Sequence, residues 1–177
     1  MTGTRSGDGT SARNRGRWRG WIGNIVLIVA IFAVVQWWRA RPMASGEAPP
    51  LAGIGIDGAP VALADHRGSP LLVHFWASWC PVCKAMDGSV AAIAEDHPVI
   101  SVAMQSGGAD EIASFLRQAG LSFPVLPDPT GQVASRWGVP AVPATCVLDP
   151  EGRIAYATVG FSTESGLRTR LWAAGRD

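Results

Sequence analysis

The spacing of apolar and polar residues over residues 51–177 predicts strands interleaved with helices. Two continuous apolar runs, Leu71–Trp76 and Val99–Met104, predict buried strands. A helical period predicts helices over 82–95, 110–119, 130–137 and 163–174. Residues 145–148 and 154–159 predict a hairpin across a turn at 149–152. This order of elements predicts an α/β sheet of mixed direction.

The pattern also predicts the buried face of one helix and the position of a proline-rich segment. The helix over 82–95 places four apolar residues on one face: Val82, Met86, Val90 and Ile93. Residues 123–129 contain three prolines, which suits a surface loop better than a central strand. About 125 residues of this kind are enough for one compact core.

Residues 21–38 carry no charge and would span roughly the hydrocarbon thickness of a bilayer at ~1.5 Å per residue. Four of the eight tryptophans bracket the segment, and five arginines precede it against two that follow. We therefore expect a basic cytoplasmic tail (1–20), a transmembrane anchor (21–38), an extended linker (39–50) and an external domain (51–177). The alternative is a signal peptide cleaved near residues 44–46.

The charge distribution supports this division. Residues 1–46 hold seven of the fifteen basic residues and a single acid, giving +6, whereas residues 47–177 sum to −5. Because the basic residues directly precede an apolar span, they predict membrane orientation rather than a nucleic-acid-binding arm.

Cys80 and Cys83 are spaced i, i+3 at the predicted junction of a buried strand and a helix. This spacing suits reversible disulfide chemistry. A helix N-terminus would favour a thiolate on Cys80, and Cys83, one turn further on, could attack a mixed disulfide formed by Cys80. Half of a zinc site is the alternative, but Cys146 is isolated and the three histidines are scattered.

Three stretches resemble the thioredoxin superfamily, in particular its membrane-anchored TlpA-like branch. Residues 75–80 (Phe-Trp-Ala-Ser-Trp-Cys) resemble the passage into the active site, 137–145 the stretch with the cis-proline, and 147–154 the closing hairpin. Within the branch, Cys-Pro-Val-Cys-Lys is most similar to the suppressor-for-copper-sensitivity protein D group. The resemblance implies a thioredoxin-like fold, with a mixed central sheet flanked by helices.

The resemblance also implies site residues. Cys80 would be the nucleophile, Cys83 the resolving thiol, and Pro143 the cis-proline that rests against the disulfide. Substrate contacts would come from Trp79, Pro81, Val82 and Val142. No cofactor is expected beyond the redox-active Cys80–Cys83 disulfide. The implied partners are protein thiols and disulfides and a membrane electron donor. The expected location is a bacterial inner membrane, with the domain facing the periplasm or the cell exterior.

Three residues invite separate expectations. His74 stands where thioredoxins carry a buried carboxylate that shuttles the proton of the second cysteine, and an ordinary pKa near 6.5 would suit that task. Its alternative is a partly buried histidine bonded to a backbone carbonyl. Asp87 is expected to be solvated, and Cys146 to be a buried reduced thiol.

The sequence leaves the direction of electron flow open. A reductase or isomerase linked to copper or oxidative stress is expected first. A cytochrome c maturation reductase is the alternative, although that group carries Glu after the cis-proline where this chain has Ala144. A Cu(I)-binding protein using the same cysteine pair is a further alternative.

Overall fold

The computed structural model describes residues 24–31, 34–35 and 43–176. Residues 24–31 and 34–35 are helical and belong to a unit that ends at Trp38, separate from the compact unit Arg39–Asp177. Among the described residues, no helix is both long and apolar enough to cross a membrane. The basic tail 1–20 and the other residues of the expected anchor lie outside the described residues.

Residues 43–176 fold around a six-stranded mixed sheet. Its strand order is β1-β8-β7-β4-β5-β6, and a separate hairpin is formed by β2 and β3. The pairs β4–β5 and β5–β6 are parallel, whereas β4–β7, β7–β8 and β1–β8 are antiparallel. The strands are β1 Gly46–Glu47, β2 Ala52–Ile54, β3 Pro60–Ala62, β4 Leu71–Trp76, β5 Val99–Met104, β6 Val125–Asp128, β7 Ala144–Leu148 and β8 Arg153–Val159.

Helices cover the sheet and close the chain. They are a 3₁₀ turn Leu63–His66 and the α-helices α1 Pro81–Lys84, α2 Asp87–Ala94, α3 Ala109–Ala119, α4 Gln132–Arg136 and α5 Glu164–Ala174. Thr163 caps α5 by accepting from the backbone N–H of Gly166, and Gly120 ends α3 in the left-handed conformation. The predicted strands β4 and β5, the β7–β8 hairpin and helices α3 and α5 are confirmed.

Alternation along β4 divides the core into two layers. Leu72 and Trp76 pack with the buried residues of α2, α3 and α5 on one face of the sheet. Val73 and Phe75 pack on the other face with Trp137, which follows α4. Every residue of β4 is buried, as expected for a strand covered on both sides. The two cysteines of the motif belong to the first layer.

The prediction of a surface loop over 123–129 is wrong. Residues 125–128 form β6, which pairs in parallel with β5 and places Pro127 opposite Ala103. β6 lies at the edge of the sheet. An edge strand tolerates proline because one side of the strand has no neighbouring strand that requires an N–H donor. The prolines therefore indicated an edge strand rather than a loop.

The helix predicted over 82–95 is interrupted. α1 ends at Lys84, and α2 begins at Asp87 after Ala85 and Met86. Met86 is fully buried, and its sulfur accepts a hydrogen bond from the backbone N–H of Ser162. Met86, Val90 and Ile93 are buried as predicted, but Val82 is 46% exposed, so its assignment to the apolar face is wrong.

The described part of the expected linker is packed against the domain instead of extending from it. Met43 and Ala48 are buried in the second core layer, and the backbone N–H of Ala44 donates to the carbonyl of Trp137. Gly46 and Glu47 add strand β1 beside β8. Residues 43–50 are thus part of the fold, and residues 39–42 lie outside the described residues.

Candidate active site

Cys80 lies at the N-cap of α1, directly after the loop that leaves β4. Its sulfur accepts a hydrogen bond from the backbone N–H of Cys83 at 3.3 Å. The thiol donates in turn to the carbonyl of Val142 at 3.7 Å. Pro81 follows at the first helical position, where its missing N–H removes no helical hydrogen bond. The local sequence therefore holds the Cys80 sulfur at the end of the helix, beside the loop that contains Pro143.

Cys83 is deeper than Cys80. Its side chain is fully buried, whereas Cys80 keeps 5% of its surface exposed. Burial is the largest cause that raises the pKa of Cys83 well above the ordinary value, and the neighbouring Cys80 and the charge of Asp87 raise it further. Both sulfurs are free thiols in this structure. The less buried Cys80 is the one a partner can reach first.

The loop between α4 and β7 faces the cysteines. The Val142–Pro143 peptide bond is cis, as the sequence predicted. The carbonyl of Pro143 accepts from the N–H of Gly160 at 2.7 Å, which ties the loop to the end of β8. The carbonyl of Val142 accepts the hydrogen bond from the thiol of Cys80. Substrate contacts by Val142 and Pro143 remain predictions.

Trp79 directly precedes Cys80, and 57% of its surface is exposed. Its indole N–H donates to the carbonyl of Gln105, a residue with positive φ. The hydroxyl of Ser106 accepts from the N–H of Ser78 and donates to the carbonyl of Met104. The loop after β5, which sequence reasoning did not single out, thus fixes the position of the exposed indole.

Pro81 and Val82 form the exposed outer turn between the two cysteines. With Trp79 they place exposed apolar residues on both sides of Cys80 in the chain. Exposed apolar residues in such a position are suited to contact a partner protein. Their assignment as substrate contacts remains a prediction.

His74 is fully buried on β4, between Leu72 and Trp76 on the face that carries the cysteines. Its Nδ1 atom lies 3.0 Å from the hydroxyl of Thr145 on β7, so the backbone-carbonyl partner considered from the sequence is wrong. Nε2 is buried without a hydrogen-bond partner in the described part of the chain. Burial lowers the pKa of His74 to about 4. The pKa therefore lies below the 6.5 expected from the sequence, and His74 is neutral at neutral pH. Its role as a proton shuttle remains a prediction.

Asp87 corrects a second expectation. It begins α2 and is 6% exposed, so it is not the solvated residue that the sequence suggested. Burial raises its pKa to about 6, and the ammonium group of Lys84 partly opposes that increase. A signal was present in the spacing: Cys83, Asp87 and Val90 follow i, i+4, i+7, which places Asp87 on the buried stripe of a helix.

Cys146 is a buried thiol on β7, as expected, and burial raises its pKa to about 12. It packs in the second core layer, whereas Cys80 and Cys83 pack in the first. The sheet separates it from the pair. Within residues 24–31, 34–35 and 43–176, no group of three or more His, Cys, Asp or Glu side chains is arranged to hold a metal ion.

Comparison with known proteins finds relatives that match this chain over at least three quarters of their own length. The chain is 35% identical over 148 residues to the thiol:disulfide interchange protein DsbE homolog of Paracoccus denitrificans, covering 76% of this chain and 82% of that relative. It is 33% identical to the thiol:disulfide interchange protein HelX of Rhodobacter capsulatus, covering 73% and 75%. The exposed lipoprotein thioredoxin Etrx1 of Streptococcus pneumoniae matches in structure with a TM-score of 0.63 and 26% identity, covering 71% of this chain and 99% of that one.

The mixed sheet, the paired cysteines at a helix start and the facing cis-proline define a thioredoxin-like thiol-disulfide oxidoreductase. The family model described as AhpC/TSA family matches residues 45–157. The chain therefore belongs to the AhpC/TSA family, and its relatives agree with the TlpA-like resemblance seen in the sequence.

Proposed function

We propose that this protein is an extracytoplasmic, membrane-tethered reductase or isomerase of protein disulfides that acts through Cys80 and Cys83. Cys80 attacks a substrate disulfide and forms a mixed disulfide. Cys83 then attacks Cys80, releases the substrate thiol and leaves the Cys80–Cys83 disulfide. A dithiol donor at the membrane returns the pair to the reduced form. A link to copper or oxidative stress is part of the proposal and follows from the sequence resemblance.

The observation that carries the proposal is the placement of the two sulfurs. The Cys80 sulfur accepts a hydrogen bond from the backbone N–H of Cys83, and its thiol donates to the carbonyl of Val142. The side chain of Cys83 is fully buried. A substrate reaches only the outer sulfur. The inner sulfur is one helical turn away and is protected from competing oxidants, which suits a resolving thiol.

Val142 would take part in substrate binding through its backbone. Its carbonyl accepts from the Cys80 thiol in the reduced protein. Once Cys80 is joined to a substrate sulfur it has no proton to donate, so this carbonyl becomes available to an N–H of the substrate chain. An extended substrate segment could then pair with the loop, as in recognition by strand addition. Trp79, Pro81 and Val82 would supply apolar contacts around it.

The reduction potential of the pair tests the proposed direction. Pro81 and Val82 place no cation between the cysteines, so the reduced form lacks one source of the stabilisation that makes a strong oxidant. We expect a potential nearer to that of thioredoxin, about −270 mV, than to that of DsbA, about −120 mV. Equilibration of the full chain with glutathione or dithiothreitol buffers measures it. A value near the oxidising end would contradict a reductase.

The tether gives an independent prediction. The tryptophan-bracketed apolar span 21–38, with arginines concentrated before it, supports an uncleaved anchor with the domain outside. The full-length chain should stay in membranes after carbonate extraction, and protease added from the cytoplasmic side should spare the domain. Recovery of a soluble form beginning near Gly46 would show instead that the segment is a signal peptide.

Two alternatives use the same cysteines. A cytochrome c maturation reductase is compatible with the disulfide-interchange relatives, but Ala144 supplies no carboxylate after the cis-proline. A Cu(I) carrier would need open soft ligands, and Cys83 is fully buried. Copper titration of the reduced chain, followed by the loss of thiol reactivity, separates the second alternative from disulfide exchange.

A further inference from the structure

The carboxyl group of Asp87 is a buried titratable group that the proposed exchange does not yet use. It follows Cys83 by four residues and begins α2 with 6% of its surface exposed. Its charge acts on Cys83, where it is one of the causes that hold the proton on the sulfur. The carboxylate is therefore close enough to sense the protonation state of the resolving thiol.

Asp87 also has a route to solvent, which Cys83 lacks. It lines an open cleft of about 530 Å³ between the α1–α2 segment and α3. Lys84 borders the same cleft, and its ammonium group lies 5.7 Å from the centre of the Phe115 ring. Cys83 itself is fully buried and does not line the cleft. The cleft therefore gives the carboxyl group of Asp87 an access to water that the thiol of Cys83 does not have.

Charged and titratable groups near Asp87 come from the elements packed against α2. One of them is α5, where Glu164 and Arg168 pair with each other. From α1 the groups are the thiol of Cys83, with Cys80 beyond it, and the ammonium of Lys84. From α3, the cleft is lined by Phe115, Gln118 and Ala119, none of which carries a charge. Among the described residues that line the cleft, Asp87 carries the one carboxyl group, and it is ionised at neutral pH.

We propose that Asp87 accepts the proton of Cys83 when the mixed disulfide is resolved and passes it to solvent through the cleft. This inference rests on the proposed exchange at Cys80 and Cys83. As the Cys83 S–H bond breaks, its proton moves to the carboxylate, and the sulfur attacks Cys80. The Cys80–Cys83 bond forms, the bond from Cys80 to the substrate sulfur breaks, and its electron pair leaves on the substrate thiolate. The cysteine pair is oxidised by two electrons and the substrate is reduced by two.

Ellman's reagent separates the two steps in the reduced full-length chain. The first thionitrobenzoate is released when Cys80 attacks, and the second when Cys83 resolves the mixed disulfide. In Asp87→Asn, we expect the second release at neutral pH to slow by about 100-fold, the lower end of typical general-base effects. The first release should change little. In the parent chain the second release should weaken below about pH 6, and this dependence should disappear in the variant.

The sign of the effect distinguishes a base from a bystander. The charge of Asp87 holds the proton on Cys83, so removing the charge from a bystander would ease ionisation of Cys83 and speed the second release. An unchanged or faster second release in Asp87→Asn would overturn the proposal. Loss of the first release in the parent chain would instead contradict the exchange at Cys80 itself.

Two further variants sharpen the test. Glu95→Gln removes the same charge from the exposed end of α2 and should leave both releases unchanged. Lys84→Met removes the cation that holds the carboxyl group in its ionised form, so the pH dependence of the second release should move to higher pH. A dependence that stays in place in Lys84→Met would mean that another group titrates, and it would contradict the assignment to Asp87.

Discussion

Replacement of Cys80 by Ser is expected to abolish the reduction of protein disulfides, whereas Cys83→Ser should trap mixed disulfides on Cys80. The difference follows from burial: Cys80 keeps an exposed edge at the helix start, and Cys83 is fully buried behind it. A hydroxyl at position 80 cannot attack a disulfide, while a hydroxyl at position 83 cannot release a substrate already attached. Insulin reduction measures the first effect, and non-reducing electrophoresis with mass spectrometry measures the second.

Cys146→Ser is the matched control for these variants. Its thiol lies in the core layer on the other side of the sheet, so insulin reduction and trapping should both resemble the parent chain. Alkylation provides the contrary test. If iodoacetamide labels Cys83 faster than Cys80 in the reduced protein, the assignment of nucleophile and resolving thiol is reversed.

Asp87→Asn should stabilise the folded protein near neutral pH while impairing its exchange. Burial raises the pKa of Asp87 from 3.8 to about 6, so the folded state binds this proton more tightly than the unfolded state does. That advantage is complete below about pH 4 and is lost as the pH rises through 6. A shift of about two units corresponds to about 3 kcal/mol at 1.36 kcal/mol per unit, an upper figure for the gain from removing the charge.

Urea denaturation at two pH values checks this prediction. The free energy of unfolding of Asp87→Asn should exceed that of the parent chain near pH 7.5, and the difference should vanish near pH 4. Glu95→Gln, on the exposed end of the same helix, should show neither effect. Equal stability of Asp87→Asn and the parent chain at neutral pH would contradict the prediction, because it would show that the ionised buried carboxylate does not lower the free energy of unfolding.

Such a combination of higher stability and slower exchange would be typical of a residue kept for function. A buried carboxylate that merely supported the fold would behave in the opposite way, since its loss would lower stability. The stability measurement and the kinetic test in the preceding section therefore examine the same residue through independent quantities.

Much of the fold was readable from the sequence because its strongest signals are local. The apolar runs of β4 and β5 are buried on both faces, and such strands need no alternation to be recognised. The αL glycine after α3 and the threonine cap of α5 mark helix ends directly. Pro143 was identified through resemblance, since a cis peptide bond leaves no periodic trace in a sequence.

The errors have a common physical origin, because each depended on tertiary context. Pro127 is compatible with a strand only at a sheet edge, and the strand order is not local information. The break after Lys84 depends on Met86, whose sulfur bonds the backbone of Ser162. The composition of residues 43–50 predicts a linker, but Met43 and Ala48 are buried in the second core layer. The pKa values of His74 and Asp87 could not be read from the sequence for the same reason, since burial is the largest cause of both shifts.

His74 and Asp87 are both buried, and together they affect how the free energy of unfolding depends on pH. Between about pH 4 and 6 the unfolded chain takes up a proton on His74 that the folded chain refuses, because burial lowers that pKa to about 4. Over the same range the folded chain retains a proton on Asp87 that the unfolded chain releases. The two proton uptakes have opposite signs, so their slopes of stability against pH oppose each other. The domain thus keeps an acid and a base inside its core whose proton uptakes on unfolding oppose each other between about pH 4 and 6.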